Sequence, residues 1–299
     1  MVRRQRGRAK SRGWVGYLLS FLIVSFPIIL GYIFFLREKP LSPKTFFPKG
    51  SPIDQTVRGR SSEIGIPKKD VVLHKSSNFR PKVAIVIDDL GGENHIAQEF
   101  LQRNLPVTFS ILPFTPYSKA IALEAHQRGK EVILHLPMEP HGYPKVRPGE
   151  GVLLQEMDEE SLLLQLSKDI EAVPHIKGVS NHMGSRLMED PEKLKIVFSE
   201  LKRQGLFFLD SRTTPQTVGL QTAHAIGLKA MERSLYLDNS TEEGEIKQNI
   251  EQLIRRALSE GKAIAIGHPH PSTLKTLKEM IPKMKEKGID VVPLSSLVK

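Results

Sequence analysis

Short apolar runs alternate with amphipathic segments from Lys82 to the end of the chain. The apolar runs are rich in β-branched residues and too short for buried helices, so they predict strands at 83–88, 106–112, 131–136, 177–181, 206–210, 227–232, 263–268 and 289–293. The amphipathic segments predict helices near 94–104, 116–129, 158–173, 190–203, 215–225, 243–260 and 273–287. Such alternation is typical of parallel strands joined by crossover helices. Seven or eight units favour an α/β fold with a closed or slightly broken (β/α)7–8 barrel over an open doubly wound sheet.

Proline and glycine support the helix boundaries. Pro116 and Pro191 stand where a first helical turn should begin. Glycine follows four predicted helix ends, at Gly129, Gly205, Gly261 and Gly288. In a barrel of this kind, functional side chains are expected at the carboxyl ends of the strands.

The amino-terminal segment has a different pattern. Residues 14–36 carry no charge, and this uncharged stretch is long enough for a transmembrane helix despite Pro27. Six basic residues precede it. We therefore expect a basic cytoplasmic tail (1–13) followed by a single-pass anchor (14–36), which contacts the lipid bilayer of the cytoplasmic (inner) membrane. A linker (37–80) and an extracytoplasmic domain (81–299) are expected to follow the anchor. A cleaved signal peptide is the alternative, but the apolar stretch ends in Phe34-Phe35-Leu36-Arg37 and not in a small-x-small site.

The positive charge of the chain lies outside the predicted domain. The net charge is +10, of which residues 1–12 contribute +6 and residues 37–82 contribute +7, leaving −3 for residues 83–299. This distribution argues against nucleic acid as a partner of the domain. The chain contains no Cys, which excludes a thiol nucleophile and is compatible with an oxidising compartment.

The first predicted strand ends in two adjacent acids, Asp88 and Asp89, followed by Gly91-Gly92. Neighbouring side chains on a strand point to opposite faces, so only one of the two acids should continue the inward direction while the other turns with the loop. This arrangement suits one metal ligand and one proton acceptor. A turn that merely ends the strand is the alternative.

Other predicted strands also end in polar side chains. Five strand ends carry Asp, His or Asn, namely Asp88-Asp89, His135, Asn181-His182, Asp210-Ser211-Arg212 and His268-Pro269-His270. Buried polar groups without partners are costly, and a bound metal is one way to satisfy several of them together. Three nitrogen and oxygen ligands with an open position are typical of a catalytic zinc site.

The motifs at these strand ends resemble those of the divergent polysaccharide deacetylase family, a branch of the carbohydrate esterases. The similarity rests on 87–91, 129–140, 178–185, 208–212 and 267–271, in the same order along nearly all of 82–299. The resemblance implies a distorted (β/α) barrel with an Asp-Asp pair in which Asp88 is the catalytic base and Asp89 a metal ligand. It also implies that His135 is a second ligand and that His268 is the general acid.

Two departures from the family pattern affect the expected site. Glu139 replaces the second His of the family's His-x-x-x-His-Pro motif. Either Glu139 or His182 therefore completes the metal site. We favour His182 because the site then keeps two imidazoles and one carboxylate. The Arg-Pro motif expected after the fourth strand is replaced by Asn181-His182-Met183-Gly184. Further candidates for the site are Glu139, Asn181, Asp210 and His270.

The predicted function is metal-assisted amide hydrolysis, with Zn²⁺ as the expected cofactor and an N-acetylated envelope polysaccharide, such as peptidoglycan, as the substrate. Asn181 or a backbone N–H after Gly91 is a candidate for oxyanion stabilisation. The rival hypothesis is a membrane-tethered binding or scaffold module that has lost catalysis. The departures at Glu139 and at the Arg-Pro motif favour the rival, as does the small number of Tyr beyond residue 36, namely Tyr117, Tyr143 and Tyr236. Hydrolysis of another amide or ester is a third hypothesis.

Overall fold

A computed structural model describes residues 80–298, which form nine strands and seven α-helices. The strands are β1 (Lys82–Leu90), β2 (Thr108–Ile111), β3 (Val132–Met138), β4 (Gly178–Met183), β5 (Phe207–Asp210), β6 (Ala230–Glu232), β7 (Leu235–Tyr236), β8 (Lys262–Gly267) and β9 (Asp290–Val291). The helices are α1 (Asn94–Gln102), α2 (Ser118–Gln127), α3 (Glu159–Ala172), α4 (Pro191–Arg203), α5 (Gly219–Ile226), α6 (Glu243–Glu260) and α7 (Pro271–Glu286). Short 3₁₀ turns cover Leu187–Glu189 and Leu294–Ser296.

The strands form one parallel sheet in the order β6-β5-β4-β3-β2-β1-β8-β7, with β9 paired to β1. The two ends of this order, β6 and β7, are neighbours in the chain. Between them, the Arg233 N–H donates to the Asp210 carbonyl of β5 (3.0 Å) and the Ser234 N–H donates to the Ile264 carbonyl of β8 (2.8 Å). Residues 230–236 therefore cross from β5 to β8 and bring the two edges of the curled sheet together. The prediction of a distorted barrel of parallel strands is confirmed.

The two faces of the strands pack against different layers. In β1, Val83, Ile85 and Ile87 belong to the core between the sheet and the helices. The alternate residues, Ala84 and Val86, belong to a second apolar cluster inside the curled sheet.

The inner cluster is closed at the amino-terminal end of the strands. Leu294 and Leu297 fill the base of the cluster, and the Leu294 N–H donates to Oγ1 of Thr108, the first residue of β2 (3.1 Å). Each of these buried Leu side chains contributes about 1.5–3 kcal/mol to folding. The opposite end, where the strands terminate, is left for polar side chains.

The helix boundaries lie within two residues of the predictions, except that the predicted helix 215–225 begins four residues later. Pro191 lies in the first turn of α4, behind Asp190, whose Oδ1 accepts from the backbone N–H groups of Glu192 and Lys193 (3.1 Å each). The second helix begins at Ser118 and not at Pro116, and the predicted helix 215–225 begins only at Gly219. In both cases hydroxyl hydrogen bonds hold the preceding residues in a turn, from Ser118 Oγ to the Leu112 carbonyl (2.6 Å) and from Thr217 Oγ1 to Asp210 Oδ2 (2.7 Å).

No helix within residues 80–298 is both long enough and apolar enough to span a bilayer. The predicted basic tail (1–13), the predicted anchor (14–36) and nearly all of the predicted linker (37–80) lie outside the described residues. Those assignments stay predictions.

Candidate metal centre

The acidic pair at the end of β1 separates in the way that strand geometry requires. Asp88 continues the inward series of Ala84 and Val86 and is only 2% exposed. Asp89 adopts a left-handed backbone (φ 57°) and turns away with the loop. Gly91 follows at φ 123°, where a Cβ atom would collide with Thr115 Oγ1. The expectation that only one acid of the pair points inward is confirmed.

Asp89, His135 and His182 bring one ligand atom each to the same point, and we call these residues the first cluster. Asp89 Oδ1 lies 3.1 Å from His135 Nε2 and 3.0 Å from His182 Nδ1. The two ring nitrogens are 3.1 Å apart. Because β3 and β4 are paired and β1 is separated from β3 by β2 alone, three strands of the curled sheet deliver these groups to one point.

This triangle fits a divalent cation. Ligand atoms that bind one tetrahedral zinc-type ion at about 2.0–2.2 Å lie about 3.3–3.6 Å from one another, slightly more than the sides of this triangle. Asp89 Oδ1 is buried, yet it has no hydrogen-bond partner of acceptable geometry among residues 80–298. A buried carboxylate oxygen without a hydrogen bond, placed between two imidazole nitrogens, is a group that a cation would satisfy.

The electrostatics of the first cluster also favour positive charge. Burial acts to raise the pKa of Asp89, but the close imidazole nitrogens of His135 and His182 outweigh it and hold that pKa well below its ordinary value. Burial acts to lower the pKa of His135, but the carboxylates of Asp88 and Asp89 outweigh it and raise that pKa. The two acids thus stabilise a positive charge at the ring nitrogens, carried by a proton or by a metal ion.

The structure brings His182, and not Glu139, to Asp89 and His135. Glu139 is 4% exposed, but its Oε1 accepts from Arg186 Nη1 (2.8 Å) and its Oε2 accepts from the Gln155 N–H (2.6 Å). Its carboxylate therefore holds the segment that follows β3 against the turn that follows β4.

His268 is held by a carboxylate that the sequence analysis did not identify. Asp238 Oδ1 lies 2.8 Å from His268 Nδ1, and Asp238 Oδ2 accepts from the His268 N–H (2.6 Å) and from Thr273 Oγ1 (2.6 Å). Burial acts to lower the pKa of His268, but Asp238, with smaller contributions from Asp89 and Asp88, raises it above its ordinary value. Asp238 thus orients the ring, leaves Nε2 free and favours the protonated imidazole.

The sequence pattern does not identify Asp238 because the strand before it is only two residues long. The run Leu235-Tyr236-Leu237 ends in an acid, as β1 does, but it was not predicted as a strand. Tyr236 lines the same region: its ring lies 6.0 Å from that of His268, and its hydroxyl donates to the Ser211 carbonyl (3.0 Å).

His270 joins Asp238 and His268 in what we call the second cluster, in which one ligand atom from each residue lies within 4.8 Å of the others. The rings of His268 and His270 are 6.1 Å apart. The carboxylate of Asp238 is already saturated with hydrogen bonds, so this cluster is better described as an oriented histidine than as a cation site.

Asn181 and Asp210 stabilise loops. Asn181 Oδ1 accepts from the Ser211 N–H (2.8 Å), and its amide group donates to the Met183 carbonyl (2.9 Å). Asp210 accepts from the Arg212 N–H and from Thr217 Oγ1 (2.7 Å each). Because these polar atoms are engaged, neither residue offers a free donor or ligand atom to the first cluster.

Comparisons with known proteins cover the same part of the chain. A sequence profile described as divergent polysaccharide deacetylase matches residues 85–298. The uncharacterized protein YibQ of Escherichia coli K12 is 34% identical over 217 residues, which are 73% of this chain and 67% of that protein. An uncharacterized protein of Haemophilus influenzae is 32% identical over 228 residues, which are 75% of this chain and 80% of that protein.

A solved structure also resembles the described residues. The crystal structure of an uncharacterized protein from Agrobacterium tumefaciens C58 has a TM-score of 0.71 at 27% identity, and the match covers 75% of this chain and 91% of that one. The span matched by the profile contains every residue of both clusters.

Proposed function

Because the chain belongs to the divergent polysaccharide deacetylase family, we propose that it removes acetyl groups from an N-acetylated envelope polysaccharide by metal-dependent amide hydrolysis. The observation that carries this proposal is the convergence of Asp89, His135 and His182 beside Asp88 and His268. The same fold without these groups would offer no chemistry for hydrolysis.

The first cluster would hold the cation, and two imidazoles with one carboxylate favour Zn²⁺. A divalent cation bound there would lower the pKa of water and polarise an acetyl carbonyl. Asp89 Oδ1, His135 Nε2 and His182 Nδ1 are the atoms that the structure presents for binding it.

Asp88 is suited to act as the general base. Its Oδ2 lies 3.6 Å from His135 Nε2, and its Oδ1 is buried with no hydrogen-bond partner among the described residues. Burial raises the pKa of Asp88 although His135 opposes the shift, and a raised pKa makes the carboxylate a stronger proton acceptor. Asp88 accepts a proton from the attacking water.

His268 is suited to act as the general acid. Asp238 fixes its Nδ1 and favours the protonated ring, so Nε2 carries the proton that is transferred to the leaving amine. The reaction balances: water supplies a hydroxyl group to the acetyl carbon, the C–N bond breaks, and the products are acetate and an amine.

The proposal includes the location of the enzyme. The uncharged stretch 14–36, preceded by six basic residues, would anchor the chain in the cytoplasmic membrane and place residues 81–299 on the extracytoplasmic side. An envelope polysaccharide is the N-acetylated polymer accessible from that position.

Acetate release tests the proposal. The full chain, stripped of metal and then loaded with Zn²⁺, is incubated with peptidoglycan fragments and with chitooligosaccharides, and released acetate is measured. We expect release with Zn²⁺ and none after chelation. If no divalent metal supports release, while Zn²⁺ still binds with one equivalent, a binding or scaffold module replaces the enzyme. If acetate is released from neither glycan but from another acetyl ester or amide, the substrate class is wrong.

A further inference from the structure

Two buried hydroxyls lie behind the first cluster. Ser110 on β2 and Ser180 on β4 are both 0% exposed. Their Oγ atoms are 2.9 Å apart, and Ser180 Oγ is also 2.9 Å from Nδ1 of His135 on β3. Because β3 lies between β2 and β4, the two serines flank His135 on the inner face of the sheet.

The direction of these hydrogen bonds follows from the role of His135. Its Nε2 lies in the triangle with Asp89 and His182, so binding a cation requires a lone pair on Nε2 and the proton on Nδ1. Nδ1–H then donates to Ser180 Oγ. Since Ser180 Oγ accepts from the ring, its own hydrogen is directed to Ser110 Oγ.

The hydrogen bonds thus run in one order, from His135 Nδ1–H to Ser180 and from Ser180 to Ser110. This order requires that His135 carry its proton on Nδ1.

We propose that Ser180 and Ser110 are positioning residues that hold His135 in its cation-binding tautomer. The inference rests on the proposed cation site. It assigns distinct roles to the two hydroxyls, because Ser180 acts on the ligand and Ser110 orients the hydroxyl of Ser180.

The two serines are unusual for their surroundings. The inner face nearby is apolar, with Ala84, Val86 and Ile133 in the same layer of the sheet. A buried hydroxyl without a partner destabilises the fold, so an apolar side chain would be the simpler filling. Hydroxyls at both positions are explained if they orient the ring of His135.

The tautomer can be measured in the parent chain, with one variant needed for the assignment alone. The full chain, labelled with ¹⁵N-histidine and loaded with Zn²⁺, is studied by long-range ¹H–¹⁵N NMR, with His135 assigned by its loss in His135→Asn. We expect a protonated Nδ1 and a metal-bound Nε2. A His135 ring that binds Zn²⁺ through Nδ1, or that carries its proton on Nε2, overturns the inference.

The Zn²⁺ affinities of two variants separate the roles of the two hydroxyls. Competition with a chromophoric chelator measures these affinities. We expect Ser180→Ala to weaken Zn²⁺ binding by about 10- to 100-fold, the usual cost of losing an outer-shell partner, and Ser110→Ala to weaken it much less because Ser180 still accepts from the ring. The control is Thr276→Val, which removes a buried hydroxyl on α7 that has no partner among residues 80–298. Equal affinities for Ser180→Ala and Thr276→Val overturn the inference.

Acetate release distinguishes this inference from the proposed function. The expected tautomer and affinity pattern in a chain that releases no acetate would support the positioning roles and contradict the enzyme. An active chain whose Ser180→Ala variant binds Zn²⁺ like the control would support the enzyme and contradict the positioning roles.

Discussion

Two groups of one carboxylate and two imidazoles lie toward the carboxyl ends of the strands, and they differ in what the carboxylate already binds. In the first cluster, Asp89 Oδ1 lies within 3.1 Å of two ring nitrogens and has no hydrogen-bond partner among the described residues. In the second cluster, both oxygens of Asp238 accept hydrogen bonds from His268 and Thr273. The same residue types therefore suit different tasks, a cation site in the first case and an oriented acid in the second.

The comparison teaches that residue composition does not define a metal site. A carboxylate whose oxygens are saturated with hydrogen bonds gains little from a cation, whereas a buried oxygen without them gains much.

Loss of a ligand from the first cluster should have the largest effect. We expect His135→Ala to abolish stoichiometric Zn²⁺ binding and acetate release, because the remaining Asp89 and His182 offer only two ligand atoms. Metal content by mass spectrometry after gel filtration measures this. The control is His224→Ala, an exposed histidine on α5. Retention of one zinc by His135→Ala would contradict the assignment.

Removal of the proposed base should leave the metal in place. We expect Asp88→Asn to lower kcat by roughly 10²- to 10⁴-fold, the usual contribution of general base catalysis, while Zn²⁺ content stays at one equivalent. Steady-state kinetics and metal analysis on the same preparation test this. An unchanged kcat would exclude Asp88 as the base, and loss of zinc would make it a ligand.

Removal of the carboxylate from the second cluster should change the pH profile and not the metal content. Asp238 raises the pKa of His268, so the protonated acid disappears at lower pH in Asp238→Asn. We expect the alkaline limb of the kcat profile to move to lower pH, with a loss of kcat smaller than that for Asp88→Asn. A zinc content that falls with this variant would mean that the second cluster is itself a cation site.

Asp169 is a buried carboxyl group outside both clusters and serves as a comparison for the cluster carboxylates. Burial raises the pKa of Asp169 to about 8, since Oδ1 has only the Gln165 amide (2.9 Å) and Oδ2 has no partner among residues 80–298. The folded chain thus binds more protons than the unfolded chain between the ordinary pKa and about 8. Its free energy of unfolding should fall with rising pH in this window, by at most about 1.4 kcal/mol per pH unit.

Asp169→Asn tests this dependence. We expect the variant to lose the Asp169 contribution and to exceed the parent in stability most clearly near pH 8, as measured by urea unfolding from pH 5 to pH 8. The exposed Glu171→Gln on the same helix is the control. A difference between Asp169→Asn and the parent that does not grow with pH would show that Asp169 is ionised in the folded chain throughout.

The contrast between the clusters also shows what the sequence could predict. The apolar runs and their polar ends predicted β1, β3, β4 and β8, and hence the meeting of Asp89, His135 and His182, because parallel strands deliver their carboxyl ends to one edge. The alternation of the strand predicted that at most one acid of the pair would point inward, and the structure identifies it as Asp88.

Other features of the site depend on contacts between segments that are distant in the sequence. Asp238 follows a strand of two residues, which is too short for a pattern. Glu139 lies where the family's His-x-x-x-His-Pro motif has its second histidine ligand. Arg186, 47 residues later in the chain, pairs with the Glu139 carboxylate. Asn181 stands at a strand end like the first-cluster residues, yet it bonds to the loop after β5. Hydrogen-bond saturation of this kind is set by the tertiary fold and has no signature in local spacing.

The central claim is that one divalent cation binds at the first cluster, and anomalous diffraction at the zinc edge tests it most directly. Crystals of the full chain grown with Zn²⁺ should show a single strong peak about 2.0–2.2 Å from Asp89 Oδ1, His135 Nε2 and His182 Nδ1. A strong peak at Asp238, His268 and His270 in its place, or no peak at either cluster, would contradict the account.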